Sequence, residues 1–98
     1  MAQIRWTPQA ADDIESIAEY IAADSPHYAK LFVIDVIRAV DRLELFPNLG
    51  RTTPETSNPL IREMLLGNYR IIYRIKTEVV EILTVYHGSR ILDPSTLK

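Results

Sequence analysis

The tripeptide Asp24-Ser25-Pro26 constrains this chain more than any other stretch. A residue ahead of proline avoids the helical region, so a helix arriving from the N-terminal side stops there. The same residues open a second helix. Ser25 is a good N-cap, and Pro26 suits the first helical position, where a backbone N–H has no partner anyway. So tight a connection folds the two helices back on each other as an antiparallel hairpin. The like pair Thr7-Pro8 starts the first helix, along which Ile14, Ile17, Ala18 and Ile21 recur at helical spacing as far as about Ala23. The second carries Ala29, Phe32, Val33, Val36, Ile37, Val40 and Leu43 as its stripe to about Leu45, and Pro47 and Gly50 end it.

A hairpin of this kind buries its stripe only against another layer. The rest of the chain supplies a sheet. Residues 3–6, QIRW, form a first strand with Ile4 and Trp6 on one side. Residues 47–59 hold three prolines and read as a long loop. Three β-branched and aromatic runs follow, Leu60 to Leu66, Tyr69 to Ile75 and Val79 to Tyr86. Gly67-Asn68 is a two-residue hairpin signal, and Lys76-Thr77-Glu78 is a second polar turn. The expected fold is α+β in two layers: an N-terminal strand and a helical hairpin packed on an antiparallel sheet, in the order β-α-α-β-β-β. With 98 residues it is one domain, 1–98, whose segment 86–98 is expected to be a loosely held C-terminal tail.

Composition excludes several classes. There is no cysteine, hence no disulfide and no cysteine-based zinc site. No N-terminal apolar run resembles a secretory signal, and no segment approaches the length of a membrane helix, so a soluble cytoplasmic protein without a membrane partner is expected. The net charge of -2 suits a nucleic-acid binder poorly. The charge is also unevenly spread. Residues 1–50 carry four basic against eight acidic side chains, and residues 51–98 seven against five. The strand-rich half is thus the side open to an acidic partner.

Candidate chemistry is sparse. No glycine-rich phosphate loop, HExxH motif, paired-carboxylate arrangement or Ser-His-Asp set is present, and neither cofactor nor metal is expected. Asp12, Asp13, Glu15 and Glu19 read as the solvated face of a helix. His27 opens a helix and reads as an exposed side chain. His87 closes the last strand beside Tyr86, where an imidazole can act as acid or base. On the strand Tyr69 to Ile75, alternation puts Arg70, Ile72 and Arg74 on the face away from the helices. Arg62 and Arg90 are placed to join them. Clustered arginines hold phosphates or carboxylates through bidentate bonds. The other reading of the same spacing is a solvated sheet face with cross-strand pairs to Glu63 or Glu81.

Four segments, in order, resemble the RelE/ParE superfamily of toxins from type II toxin–antitoxin modules: RWTPQAADDIESIAEYIAADSPHYA, LELFPNLGR, IREMLLGNYRIIYRI and EILTVYHGSR. The resemblance spans nearly the whole chain and implies the same fold, with a cognate antitoxin as partner in a hetero-oligomer. It implies one of two activities: ParE-like members inhibit DNA gyrase, whereas RelE-like members cleave messenger RNA on the ribosome. Arg70 matches the strand arginine of the nucleases. Where RelE places lysines, however, this chain has Ile61 and Glu63. The later catalytic arginine falls near Gly88, no tyrosine follows Arg90, and the tyrosine that some nucleases place after a strand-end histidine is Gly88 here. The missing lysines and the acidic balance favour a ParE-like gyrase inhibitor of the plasmid-stabilisation type. A ribosome-dependent mRNA endonuclease is the alternative, and an inactive fold that binds only its antitoxin is a further one. For a nuclease the candidate catalytic residues are Arg70, His87 and Arg90. For either target the candidate binding residues are Arg62, Arg70, Arg74, Tyr86, His87 and Arg90.

Overall fold

A computed structural model describes residues 1–88 of the chain. Strand β1 (Gln3–Trp6) leads into helix α1 (Pro8–Ala22) and then helix α2 (Pro26–Asp41). A 3-10 turn over Arg42–Glu44 ends the helical half. Four strands follow: β2 (Arg51–Thr52), β3 (Ile61–Leu66), β4 (Tyr69–Lys76) and β5 (Val79–His87). They form one five-stranded sheet in the order β1-β5-β4-β3-β2. The helical hairpin covers one face, α1 lying on β5 and α2 on β3.

Local chemistry sets these boundaries. Ser25 Oγ accepts a hydrogen bond from the Tyr28 N–H at 3.2 Å, and Thr7 Oγ1 accepts one from the Ala10 N–H at 3.1 Å. Each proline falls at the start of its helix, as the capping logic requires. Gly67, in the β3–β4 turn, has φ of 57°, a conformation that costs glycine nothing.

The core lies between the helices and the sheet. Val36, Val40 and Leu43 of the helical half meet Ile71, Tyr73, Val80, Ile82 and Val85, all nearly or wholly removed from solvent. Ile14, Ile17 and Ile21 of α1 pack against this cluster as expected. The stripe of α2 is rotated slightly from the expected one. Ile37 is 46% exposed, and Ala39 takes a buried place instead. At a period of 3.6, positions 32, 36, 39, 40 and 43 follow the buried line, and position 37 lies beside it.

The sheet differs from the expected one in two further respects. Its meander β3–β4–β5 is antiparallel, but β1 joins β5 in parallel, Ile4 opposite Val80 and Trp6 opposite Ile82. The long loop also contains β2, whose Arg51 pairs with Glu63 and Thr52 with Arg62. Tyr86 and His87 belong to β5, so the expected tail does not begin at 86, and its remainder from residue 89 lies outside the described residues.

A register shift between Ile72 and Tyr73 of β4 leaves Leu83 of β5 without an opposite residue: Ile72 faces Thr84, and Tyr73 faces Ile82. Such a bulge frees backbone groups from the ladder. Here α1 satisfies them. Thr7 Oγ1 donates to the Ile82 carbonyl at 2.7 Å, with the Leu83 carbonyl at 3.1 Å. Asp13 accepts from the Val85 N–H at 3.1 Å and from the Thr84 hydroxyl.

Candidate functional site

Away from the helices the sheet carries a small apolar patch, Ile61 and Ile72 with Leu83 and Tyr86 packed on them. Beside it stands Arg70, as strand alternation requires. Its register partners are Leu65 on β3 and Tyr86 on β5. Arg70 is not on an open surface, however: it is 8% exposed, and Glu63, one strand over, is 1% exposed. Arg70 Nε donates to Glu63 Oε2 at 2.8 Å, and Nη2 reaches Glu63 Oε1 at 3.1 Å. The outer edge of the same guanidinium meets Glu55 through two parallel bonds, Nη1 to Oε2 at 2.6 Å and Nη2 to Oε1 at 2.5 Å.

Glu55 belongs to the loop that joins β2 to β3. This loop lies on the sheet with few backbone tethers. The Thr53 N–H donates to the Ile61 carbonyl, and the Thr56 N–H to the Thr53 carbonyl, each at 3.4 Å. Thr53 is buried, and its Oγ1 has no protein partner. Arg51 Nε stands 3.6 Å from Glu63 Oε1, so two carboxylates and two guanidiniums share the cluster. The hydrogen bonds from Arg70 hold the Glu55 carboxyl below its ordinary range, against a smaller opposing effect of burial. The same bonds raise Arg70 above its ordinary value. Both directions describe one fact, that the ions are stabilised as a pair.

Of the other candidate residues, Tyr86 stands opposite Arg70 in the ladder, and His87 meets Arg70 only at the end of the strands, where both line a pocket of about 200 Å³ beside the Gly67-Asn68 turn. Arg62 points to the helical face, where its Nη1 donates to the Gly50 carbonyl at 2.9 Å and its buried Nε has no protein partner. There Tyr73 donates its hydroxyl to the Pro47 carbonyl at 2.7 Å and accepts from the Gly50 N–H at 2.8 Å. Burial pushes the Tyr73 phenol up despite this bond and the nearby Arg62 charge. A Cβ on Gly50 would stand 2.5 Å from the Glu63 carbonyl oxygen and 2.7 Å from the Tyr73 hydroxyl, so only glycine fits. Arg74 shares the face of Arg70, but lies 4.0 Å from Glu81, which Lys76 and Arg5 also approach.

His87 is on the opposite face from Arg70. It pairs with Tyr69 in the ladder, and the two rings meet edge to face with centroids 5.3 Å apart. Tyr69 in turn touches Phe32, and Ser16, Ile17 and Tyr20 of α1 complete a cleft of about 400 Å³ around the imidazole. Tyr86, next in sequence, packs on the apolar patch of the other face. Arg90 lies outside the described residues. Thus the arginines expected together are divided: Arg70 and Arg74 on one face, Arg62 on the other. The pairs that form, Arg70 with Glu63 and Arg74 with Glu81, are the cross-strand pairs that the spacing allows. What strand spacing does not reveal is Glu55, because a loop residue carries no periodic signal.

Among the described residues no three histidine, aspartate or glutamate side chains converge as a metal site, and no helix is long and apolar enough to cross a membrane.

Comparison with known proteins gives these features a family. Residues 4–92 match the model of the ParE toxin of type II toxin–antitoxin systems, parDE. The chain is 40% identical over 88 residues to a Sinorhizobium fredii protein named "Putative toxin Y4kP", covering 88% of each. It is 31% identical over 91 residues to toxin RelE2 of Caulobacter vibrioides, covering 93% of this chain and all of that one. In three dimensions it resembles a chain of the chromosomal ParDE system of P. aeruginosa, with a TM-score of 0.73 and 27% identity over 89% of this chain and 96% of that one. A chain of the RelBE2 toxin–antitoxin complex of Mycobacterium tuberculosis shares the fold, with a TM-score of 0.61 and 23% identity over 88% and 96%. The chain belongs to the ParE toxin family of type II toxin–antitoxin systems.

Proposed function

We propose that this toxin acts in the cytoplasm by binding DNA gyrase, in the ParE manner, and that a cognate antitoxin neutralises it. One observation carries the choice of target: the guanidinium of Arg70 is taken by Glu55 and Glu63. A nuclease of this superfamily requires that arginine to meet a phosphate whose charge grows in the transition state. Here the two nearest carboxylates occupy it. The positions where the nucleases carry lysine hold the buried Ile61 and Glu63 itself. His87, the one candidate acid or base, is on the opposite face of the sheet from Arg70 and shares with it only a pocket of about 200 Å³ at the end of the strands. With a net charge of -2, the chain also lacks the general attraction that ribosomal RNA exerts on basic proteins.

An antitoxin partner follows from the family and from the neighbours, which come from a ParDE system and a RelBE2 complex. The helices offer Tyr20, Tyr28, Leu31 and Ile37 to solvent, large apolar side chains suited to a covering partner.

The test is a gyrase supercoiling assay run beside a translation assay with purified toxin. Loss of supercoiling with intact messenger is the expected result. Normal supercoiling with ribosome-dependent messenger cleavage would establish the nuclease reading instead, which the imidazole of His87 at the end of β5 and the 31% identity to RelE2 favour. His87→Ala separates the two further. A nuclease using that imidazole loses about 10²–10⁴-fold in rate, whereas a gyrase binder, for which His87 is one contact among several, changes far less. A folded free chain that leaves both assays and cell growth untouched is an inactive relative.

A further inference from the structure

The Arg70 cluster has an asymmetry with functional meaning. Glu63 is wholly buried on a central strand and reaches Arg70 from within the sheet. Glu55 reaches the same guanidinium from a loop, and its side chain is 18% exposed. Between Thr53 and Asn58 the loop is held by local turns and long backbone bonds, and its firm tether to β4, from the Ile75 N–H to the Leu60 carbonyl at 2.8 Å, lies beyond that stretch. The carboxylate of Glu55 is therefore the part of the cluster that can leave without unpairing a sheet strand.

Its departure changes the charge of the site. With Glu55 seated, Arg51 and Arg70 balance Glu55 and Glu63. With Glu55 withdrawn, one positive charge is uncompensated, and a two-pronged donor faces outward between Leu65 and Tyr86. A planar guanidinium in that setting selects a group with two oxygens in one plane.

We propose that Glu55 is a built-in occupant of a concealed oxyanion site, and that a carboxylate side chain of a partner protein displaces it from Arg70. A carboxylate replaces Glu55 one for one and leaves the cluster neutral. A nucleic-acid backbone fits less well, because it brings a row of charges towards a site whose inner wall is the Glu63 carboxylate. The inference bears on the choice of target, because withdrawal of Glu55 leaves only Glu63 on Arg70; the acetate and phosphate titrations test the cover, and the supercoiling and translation assays test the target. The loop segment 53–58 then works as a cover, closed over the arginine in the free toxin.

The occupant lowers the apparent affinity of any competitor by the fraction of time that it is absent. A cover closed nine-tenths of the time imposes about a tenfold penalty, which removal of Glu55 lifts. The experiment uses the full chain labelled with 15N, as wild type, Glu55→Ala and Glu55→Gln. Circular dichroism verifies folding, and the Nε–Hε signal of Arg70 is followed during titration with sodium acetate and, separately, inorganic phosphate. Arg70→Lys identifies the signal. The expected result is a saturable shift of the Arg70 signal with acetate, at about tenfold lower concentration in Glu55→Ala than in wild type. Equal titration of the variants and wild type, or no shift at Arg70, overturns the proposal. Tighter saturation by phosphate than by acetate overturns the carboxylate assignment in favour of a nucleic-acid backbone. Unfolding of both Glu55 variants overturns it as well, since a cover that the fold cannot spare is not displaceable.

Discussion

Glu63 is the residue on which the polar face depends. Its carboxylate is sealed inside a sheet and is tolerable there because Arg70 and Arg51 answer it. Arg70→Ala removes the main answer and strands the charge. The expected cost is about 3–5 kcal/mol, read as a lower urea midpoint. Glu55→Ala leaves Arg70 still paired with Glu63, so its cost is expected to be smaller, about 1–2 kcal/mol. Equal costs would mean that Glu55 and Glu63 share the arginine evenly. A pH dependence follows from the lowered pKa of Glu55. Its ordinary value is 4.5, and the folded state holds it below that. In that window the unfolded chain binds the extra proton, so stability rises with pH. The stability gap between wild type and Glu55→Gln is expected to be full at neutral pH and to shrink as pH falls below 4.5, in urea melts at stepped pH. Alternation alone placed Arg70 and Arg74 on one face of β4. It did not show that a carboxylate fifteen positions upstream would close over Arg70, since no local pattern links Glu55 to it.

At the level of elements, the boundaries were the most legible part of the chain. Thr7-Pro8 and Ser25-Pro26 each start a helix because cap and proline act within four residues. The two caps are nevertheless unequal. Ser25 makes one exposed bond at its helix start, while Thr7 also ties the bulge of β5 through the Ile82 and Leu83 carbonyls. Ser25→Ala is expected to cost about 1 kcal/mol. Thr7→Ala keeps the backbone N–H bond of residue 7 to the Ile82 carbonyl but loses both the cap and the hydroxyl bond at the bulge, so it is expected to cost about 2 kcal/mol, measured by denaturant unfolding. A similar loss at the two positions would show that the bulge gains little from Thr7. Neither the bulge nor the two-residue β2 was readable beforehand. A bulge is set by which residues of two distant strands face each other, and β2 gains its hydrogen bonds only once β3 stands beside it.

For the whole molecule, the sequence predicts two layers because an apolar stripe on each helix needs a sheet to cover it, and the meander supplies one. A domain of 98 residues is only modestly stable by itself. A partner that binds the folded toxin and not the unfolded chain adds to that. Antitoxin at one hundred times its dissociation constant is expected to stabilise the toxin by about 2.7 kcal/mol, so the melting temperature should climb with antitoxin concentration. A concentration-independent midpoint would show that the partner has no preference for the folded form.

The parallel pair of β1 and β5 bears on how the toxin comes into being. Residues 3–6 leave the ribosome well before residues 79–82, their hydrogen-bonding partners. Ribosomes add about 5–20 residues per second, so for several seconds the nascent chain holds an orphan strand and a helical hairpin with no sheet beneath it. A contact between strands so far apart in sequence slows folding further, since a long loop must close before any bond rewards it. The five-stranded sheet is therefore complete only after that delay, which is time in which an antitoxin can meet the chain as it folds.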